Sequence, residues 1–256
     1  VGELLQHWRR ERRMSQLVLS SEAGVTSRHV SFIESGRANP SREMVLTLAR
    51  ALDVPLRERN QMLLAAGYAP LYRETGLDAE SMSRIRSALE RVLSHHEPFP
   101  AVVMDRHWNV LVANDAADAL FGWLLDGVEG DDRPNIVRLM FTRLRPHVAN
   151  WEATGEALIH RVHREAVGGV PDVETARLLA EALAQPDIPL AWQRPDFATT
   201  PLPLVPVEFA KDGVALSYFS LVTTVGTPQD VTLQELRLEA FFPTDDATAQ
   251  HRWATS

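Results

Sequence analysis

Two histidines, His160 and His163, stand three residues apart, a spacing that on a helix sets two imidazoles one turn apart as a possible metal pair. No Asp, Glu or Cys completes a ligand set of recognisable spacing around them, so two solvated helix histidines are the better reading. His95 and His96 are adjacent; on a helix they point apart, and they are read as solvated. The chain has no cysteine, which excludes disulfides, thiolate metal sites and a cysteine nucleophile, and fits a reducing compartment. A phosphate-cradling glycine loop, a Gly-x-Ser-x-Gly elbow and a paired-carboxylate signature are all missing. No catalytic residue, metal or cofactor is therefore expected.

Hydrogen-bonding chemistry is concentrated instead in residues 15–37. Ser15 can cap a helix, and Gln16 sits in its first turn among unpaired backbone N–H groups, a natural clamp for a phosphate. Gly24 then allows a sharp turn, Val25 plugs the core, and Thr26 caps the next helix. On that helix Val30 and Ile33 point inward, leaving Ser27, Arg28, Ser31 and Phe32 on the outward face of its first turns. Arg28 can read guanine through its two-pronged guanidinium, Ser27 or Ser31 can bond several bases, and Phe32 can lie against a thymine methyl. Gly36 ends the helix, and Arg37 aims a cation at the flanking backbone near Asn39 and Arg42. The expected partner is a double-stranded DNA operator with this second helix in the major groove. The competing reading is a helical module that binds protein.

The elements that must position these residues are legible by period. Leu4, Leu5 and Trp8 share one face; Leu17, Val18 and Leu19 open a second short helix; Val30 and Ile33 mark a third. Met44, Val45, Leu48 and Leu52 stripe a fourth, and 57–66 can form a fifth that ends at Gly67. Residues 68–80 break the pattern as a linker, and Met82, Ile85, Leu89, Val92 and Leu93 stripe a connecting helix that ends before Pro98. From Phe99 the character changes. Residues 101–104 and 110–113 read as a hairpin, with helical patterns at 115–125, 135–142, 146–166 and 172–184. Strand patterns return at 204–209, 214–225 and 233–242, the first two joined by Asp212-Gly213, a strong tight-turn signal. Strands at both ends with helices between predict an antiparallel sheet carrying helices on one face.

The net charge of −8 is unevenly spread. Residues 1–70 hold ten arginines against seven acids, while residues 71–256 hold sixteen basic residues against twenty-seven acidic ones. DNA affinity follows the local patch, so an acidic remainder is compatible with a basic reading domain. No apolar run approaches the ~18–20 residues needed to cross a bilayer, and the start lacks a signal peptide's basic head and apolar stretch. The expected location is the cytoplasm, with no membrane partner.

The order Ser15-Gln16-x-x-Leu19, Gly24-Val25-Thr26, Val30-x-x-Ile33-Glu34-x-Gly36-Arg37-x-x-Pro40-Ser41 resembles the XRE/Cro family of repressors over about 65 residues. By that resemblance Gln16 and Thr26–Arg28 correspond to phosphate and base contacts, and Arg9 and Glu34 to an internal salt bridge. One departure stands out: Arg13 occupies the place of the family's usual glycine before helix two. A left-handed backbone there costs Arg on the order of 1 kcal/mol relative to Gly, unless helix one simply lengthens.

The larger part is rich in apolar and aromatic residues, which supply core and can line a cavity for an apolar small molecule. The stretches Ala101-Val102-Val103-Met104-Asp105-x-x-Trp108-Asn109-Val110, Asn135-x-x-Arg138, Trp151-Glu152 and Gly226-Thr227-Pro228-x-Asp230-Val231 through Glu239-x-Phe241-x-Pro243 resemble the ligand-binding domain of MmyB-like regulators, a PAS-like fold. The resemblance implies a sensor for a fatty-acid-like ligand. Asn114, Phe121, Leu139, Phe141, Arg145, Trp151 and Phe219 are the candidate ligand contacts, with Arg138, Arg143 or Arg145 placed to meet a ligand carboxylate.

The expectation is thus a multidomain chain: an all-α, lambda-repressor-like helix-turn-helix domain at 1–67, a linker and connecting helix at 68–98, and an α+β, PAS-like ligand-binding domain at 99–245. It would act as a non-enzymatic transcription regulator, a homodimer on a roughly palindromic site. Two alternatives stay open: a second domain that serves only dimerisation, and an enzyme fused to a DNA-binding module.

Overall fold

The computed structural model describes residues 1–127, 134–167, 172–193 and 204–253. Contacts divide the chain into two compact units, the first taking in Val1–Gly76 and Gly226–Gln234, the second the body of the chain from Leu77 onward.

The first unit is helical: α1 (Gly2–Glu11), α2 (Gln16–Glu22), α3 (Ser27–Glu34), α4 (Arg42–Ala51) and α5 (Leu56–Ala65). Three hydroxyls start three of these helices. Ser15 Oγ accepts the Val18 N–H at 3.1 Å, Thr26 Oγ1 that of His29 at 3.2 Å, and Ser41 Oγ that of Met44 at 3.2 Å. Helix α1 stops at Glu11, and Arg13 takes the left-handed backbone at φ +52°, so helix one does not lengthen and the strain of a non-glycine there is real. Gly2 meets the end of α3 so closely that a Cβ would lie 2.6 Å from the Ile33 carbonyl oxygen. The core is one apolar cluster containing Leu5, Trp8, Leu19, Val30, Ile33, Val45, Leu48 and Met62. Leu17 and Val18, expected beside Leu19, point outward and are 70% and 45% exposed, because only one residue in three or four of a short helix can face the core.

The stretch after Gly67 is fastened to α5. Asn60 Oδ1 accepts the N–H groups of Leu71 and Tyr72, and its Nδ2 donates to the Tyr72 carbonyl at 2.7 Å. Gly226–Gln234 belongs to the same unit. The Val231 N–H donates to the Arg73 carbonyl at 2.8 Å, and Gln234 Oε1 accepts the N–H of Leu56 at the start of α5 at 2.6 Å.

The second unit holds a five-stranded antiparallel sheet in the order β2-β1-β5-β4-β3, formed by β1 (Ala101–Met104), β2 (Val110–Ala113), β3 (Val207–Lys211), β4 (Val214–Thr223) and β5 (Arg237–Pro243). The β3–β4 turn is Asp212-Gly213, both residues at positive φ, as the dipeptide predicts. Around the sheet lie α6 (Ser83–His95), α7 (Asp115–Leu124), α8 (Ile136–Phe141), α9 (Trp151–Val167), α10 (Val173–Leu183) and, near the end, α12 (Asp246–Gln250). Ile159, Val162, Leu178, Met104, Phe209, Leu216 and Tyr218 belong to a single core that joins helices to sheet.

Residues 233–235, expected to begin the last strand, fall in a short helix, α11 (Val231–Glu235). The Asp230 carboxylate accepts the Thr232 N–H at 2.9 Å, a capping bond that turns the chain into helix despite the strand-like alternation of Val231 and Leu233. His160 and His163 are half-buried on α9 rather than solvated, and among the described residues no cluster of His, Cys, Asp and Glu could hold a metal. His96 is also partly buried: its Nε2 lies 2.8 Å from the Phe241 carbonyl, and its ring meets Phe242 edge-on. Among the described residues no helix is long and apolar enough to cross a membrane.

Candidate functional site

Helices α2 and α3 set out the residues that can face a nucleic acid. Val30 and Ile33 are fully buried, which turns Arg28 outward. The Arg28 guanidinium lies 5.1 Å from the Phe32 ring centre and that of Arg37 lies 6.0 Å from it, so one aromatic ring has two cations beside it at the surface of α3. Thr26, Arg28, Arg37 and Asn39 are exposed, while Ser27, Ser31 and Phe32 are half-exposed.

Behind this face stands an ion pair. Arg9 Nε donates to Glu34 Oε1 at 2.6 Å and its second nitrogen reaches Oε2 at 2.9 Å, a two-pronged pair that joins α1 to α3, as the family resemblance implies. Gln16 Nε2 also donates to Glu34 Oε2 at 2.8 Å. Burial alone would raise the Glu34 carboxyl, but the bonds from Arg9 and Gln16 hold it below the usual carboxylate range. Gln16 therefore has one amide hydrogen committed to the fold, and its orientation at the start of α2 is fixed by the pair that locks α3.

Within the second unit a cavity of about 170 Å³ opens between sheet and helices. The sheet contributes Val102, Met104, Val207, Tyr218, Ser220, Glu239 and Phe241, alternate residues that share one face of β1, β3, β4 and β5. Helix α9 contributes Thr154, Ala157, Leu158 and Arg161, a stripe at helical spacing, and α8 adds Ile136 and Met140. The walls are mostly apolar; the exception is a polar end. Arg161 lies 3.3 Å from Glu239 Oε1, and Ser220 Oγ donates to the same oxygen at 2.5 Å. The Arg161 guanidinium also stands 4.2 Å over the Trp108 ring, with Arg237 at 5.6 Å from that ring.

Trp108 is 1% exposed and held at φ +69°, an uncommon backbone for a bulky residue that costs on the order of 1–3 kcal/mol. The Asp105 carboxylate sustains it by accepting the N–H groups of His107 and Asn109 and the Asn109 side-chain amide. Tyr218 is 2% exposed and lines the cavity; its hydroxyl has no hydrogen-bond partner among the described residues. Burial, and after it the Asp245 carboxylate, pushes its phenol up to about 12, so it stays a neutral donor.

The residues expected to contact a ligand are dispersed. Phe121 and Leu139 line a separate cleft of about 410 Å³ with Asn109, Asn135, Arg138 and Arg143. Asn114 caps α7: its Oδ1 accepts the N–H groups of Ala117 and Ala101, and its Nδ2 donates to Phe99. Phe141 is buried edge-on to Trp151 at 5.0 Å, and Arg145 lies over Trp151 at 5.3 Å while bonding the Pro186 carbonyl. Phe219 alternates with Tyr218 on β4 and stacks on Phe242, on the sheet face away from the cavity. Arg138 is committed to Glu181 at 2.8 Å and Glu174 at 3.5 Å. Sequence reasoning missed Arg161, Glu239, Trp108 and Tyr218. The signal was a polar residue in phase with an apolar stripe: Arg161 with Leu158 on α9, Glu239 with Phe241 on β5.

Two family models match the chain, a helix-turn-helix at residues 5–59 and the MmyB-like transcription regulator ligand binding domain at residues 85–253. A search of curated proteins found no match. A solved structure titled "Structure of an RNA-binding Light-Oxygen-Voltage Receptor" shares 14% identity at a TM-score of 0.28; the alignment covers 94% of this chain and 58% of that one, less than two thirds of its length. With a DNA-binding helix-turn-helix ahead of a matched ligand-binding domain that spans more than half its length, the chain belongs to the MmyB-like transcription regulators.

Proposed function

We propose that this regulator senses a small apolar or fatty-acid-like effector in the cavity between α8, α9 and the sheet. The observation that carries the reading is the cavity itself: about 170 Å³, walled mostly by apolar side chains of the sheet, α8 and α9, with Arg161, Ser220 and Glu239 as polar lining. An enclosed apolar cavity of about 150 Å³ accepts a guest of about benzene size, so this half-open one has room for a short apolar segment of a ligand. The five-stranded antiparallel sheet with helices against it supports a PAS-like reading of the domain, taken to span 99–245 after a reading domain at 1–67 and a connecting region at 68–98.

Occupancy would reach the reading domain through the chain. Strand β4 carries Tyr218 and Ser220, β5 carries Glu239 and Phe241, and the connection between these strands contains Gly226–Gln234, which folds as part of the first unit. A ligand that spreads β4 from β5 pulls directly on that segment, a differential contact of the kind an effector needs to shift a conformational equilibrium. DNA contacts are assigned to Gln16, Thr26, Ser27, Arg28, Ser31, Phe32, Arg37 and Asn39. A single module of this size buries little DNA surface, so the active species is a cytoplasmic homodimer on a two-fold site, without catalytic activity.

Native and denaturing mass spectrometry of the purified protein tests this. A dimer that releases a small amphiphile on denaturation supports the reading. A dimer that releases nothing, and that no apolar compound stabilises in a thermal-shift series, reduces the second domain to a dimerisation unit.

A further inference from the structure

The turn between β1 and β2 faces two ways. Trp108 lines the cavity, and two residues before it Arg106 reaches the junction of α11 with β5. There Arg106 Nη1 donates to Glu235 Oε1 at 2.9 Å, while its Nη2 lies 3.2 Å from Asp172 Oδ2 at the start of α10. Arg237, two residues beyond Glu235, stands 5.6 Å from the Trp108 ring centre, so the turn meets this corner twice. The turn is also tied internally. Besides the bonds to the Asp105 carboxylate, the Asp105 N–H donates to the Asn109 carbonyl at 3.1 Å and the Trp108 N–H to the Asp105 carbonyl at 3.2 Å.

Glu235 stands at a boundary in the chain. Its neighbour Gln234 is the last residue of the segment that folds with the first unit, and Gln234 Oε1 accepts the Leu56 N–H at 2.6 Å. One peptide bond therefore joins a residue held by the cavity's turn to a residue that holds the start of α5.

We propose that Arg106 is a positioning residue for the effector response. Through Glu235 it fixes the end of α11, and an effector that displaces Trp108 breaks that hold and loosens the Gln234–Leu56 bond; this rests on the cavity being the effector site.

The guanidinium has two carboxylates to serve, which gives the turn two arrangements. Asp172 is anchored by Thr175 and by His107 at 3.0 Å, so Arg106 keeps a counter-ion when Glu235 is let go. Glu235 ends a helix of five residues and can turn toward water. The strain already present in Trp108 at φ +69° lowers the cost of moving it. Effector and reading domain then bias one element, as a coupling between two sites requires.

The test is amide hydrogen exchange of the full-length protein at pH 7, with and without a saturating probe. The probe is octanoate or 1-octanol, whichever binds more tightly by calorimetry. In the parent protein it should speed exchange at the Leu56 N–H by at least about threefold. Glu235→Ala cuts the contact and leaves Arg106 with Asp172. Exchange at Leu56 should then be fast without probe and change by less than about 1.5-fold on adding it, with probe affinity within about threefold of the parent. Arg106→Gln cuts the same contact from the other side and should behave alike, which keeps the test open if one variant does not fold. A merely structural residue would speed exchange equally with and without probe; a parental response ratio in either folded variant would overturn the proposal. So would a bound probe that leaves Leu56 exchange in the parent unchanged. A parent protein that binds neither probe fails the effector reading itself, and Arg106 then has no response to position.

Discussion

The Asp230 carboxylate accepts both the backbone N–H and the hydroxyl of Thr75, at 3.3 and 2.7 Å, across 155 residues of sequence. The same carboxylate caps α11 through Thr232. One side chain thus ties the segment between β4 and β5 to the end of the helix-turn-helix unit. Asp230→Ala removes all three bonds. Amide hydrogen exchange at Thr75, Val231 and Thr232 should speed up by at least about tenfold, the loss of roughly 1.4 kcal/mol of local protection. Operator affinity without effector should stay within about threefold, while the change in affinity on adding effector should vanish. A variant that still responds to effector would show that the signal does not travel through this segment.

Arg28 carries the second prediction. It is exposed on α3 and held over Phe32, oriented before DNA arrives. Arg28→Ala should weaken binding to the true operator by about 1–3 kcal/mol and leave binding to unrelated duplex nearly unchanged. Competition gel shifts with specific and random duplex separate the two; an equal loss on both would make Arg28 a phosphate contact.

Gln16 stands at the start of α2, where its position suits a phosphate clamp, and its amide also donates to Glu34 at 2.8 Å. The Arg9–Glu34 pair that it joins has side chains 13% and 3% exposed. Removing one partner leaves a charge without its match, so Glu34→Ala should cost about 3 kcal/mol in urea unfolding of the protein, at the low end for a buried pair. Arg9→Ala/Glu34→Ala together should cost clearly less than the two single changes added. Additive losses in that cycle would mean that the two residues stabilise the fold independently.

The reading helix was legible because its determinants are local. Ser15, Thr26 and Gly24 each act within four residues of themselves, and Val30 and Ile33 reveal their face by spacing alone. Arg161 and Glu239 were not legible for the opposite reason. They lie 78 residues apart, and each alone resembles an ordinary charged residue on an amphipathic element. Only the packing of α9 against the centre of the sheet makes them a pair. The aromatic residues expected at the ligand have a second use that sequence does not separate from it: Phe141, Trp151 and Phe219 are large enough to fill core or stack on neighbours, and they do so. At α11, two apolar residues in alternation could be strand or helix, and the Asp230 cap decided it.

Asp172 gives the chain a measurable acid response. It caps α10, accepting from Thr175, and faces Arg106 at 3.2 Å and His107 at 3.0 Å. Burial pushes its carboxyl up, but the Thr175 bonds and the two basic neighbours outweigh this and lower it from 3.8 to about 2. A carboxyl held below its unfolded value binds protons less readily when folded, so its stabilisation is complete above about pH 4 and is lost as pH falls toward 2. Asp172→Asn keeps a capping acceptor and removes the charge. The variant should be less stable than the parent by about 1 kcal/mol at pH 7, a figure reduced for solvent screening. Urea midpoints taken from pH 7 to pH 2 should converge below pH 4; a gap that persists unchanged to pH 2 would assign the loss to packing at the cap rather than to the ionised carboxylate.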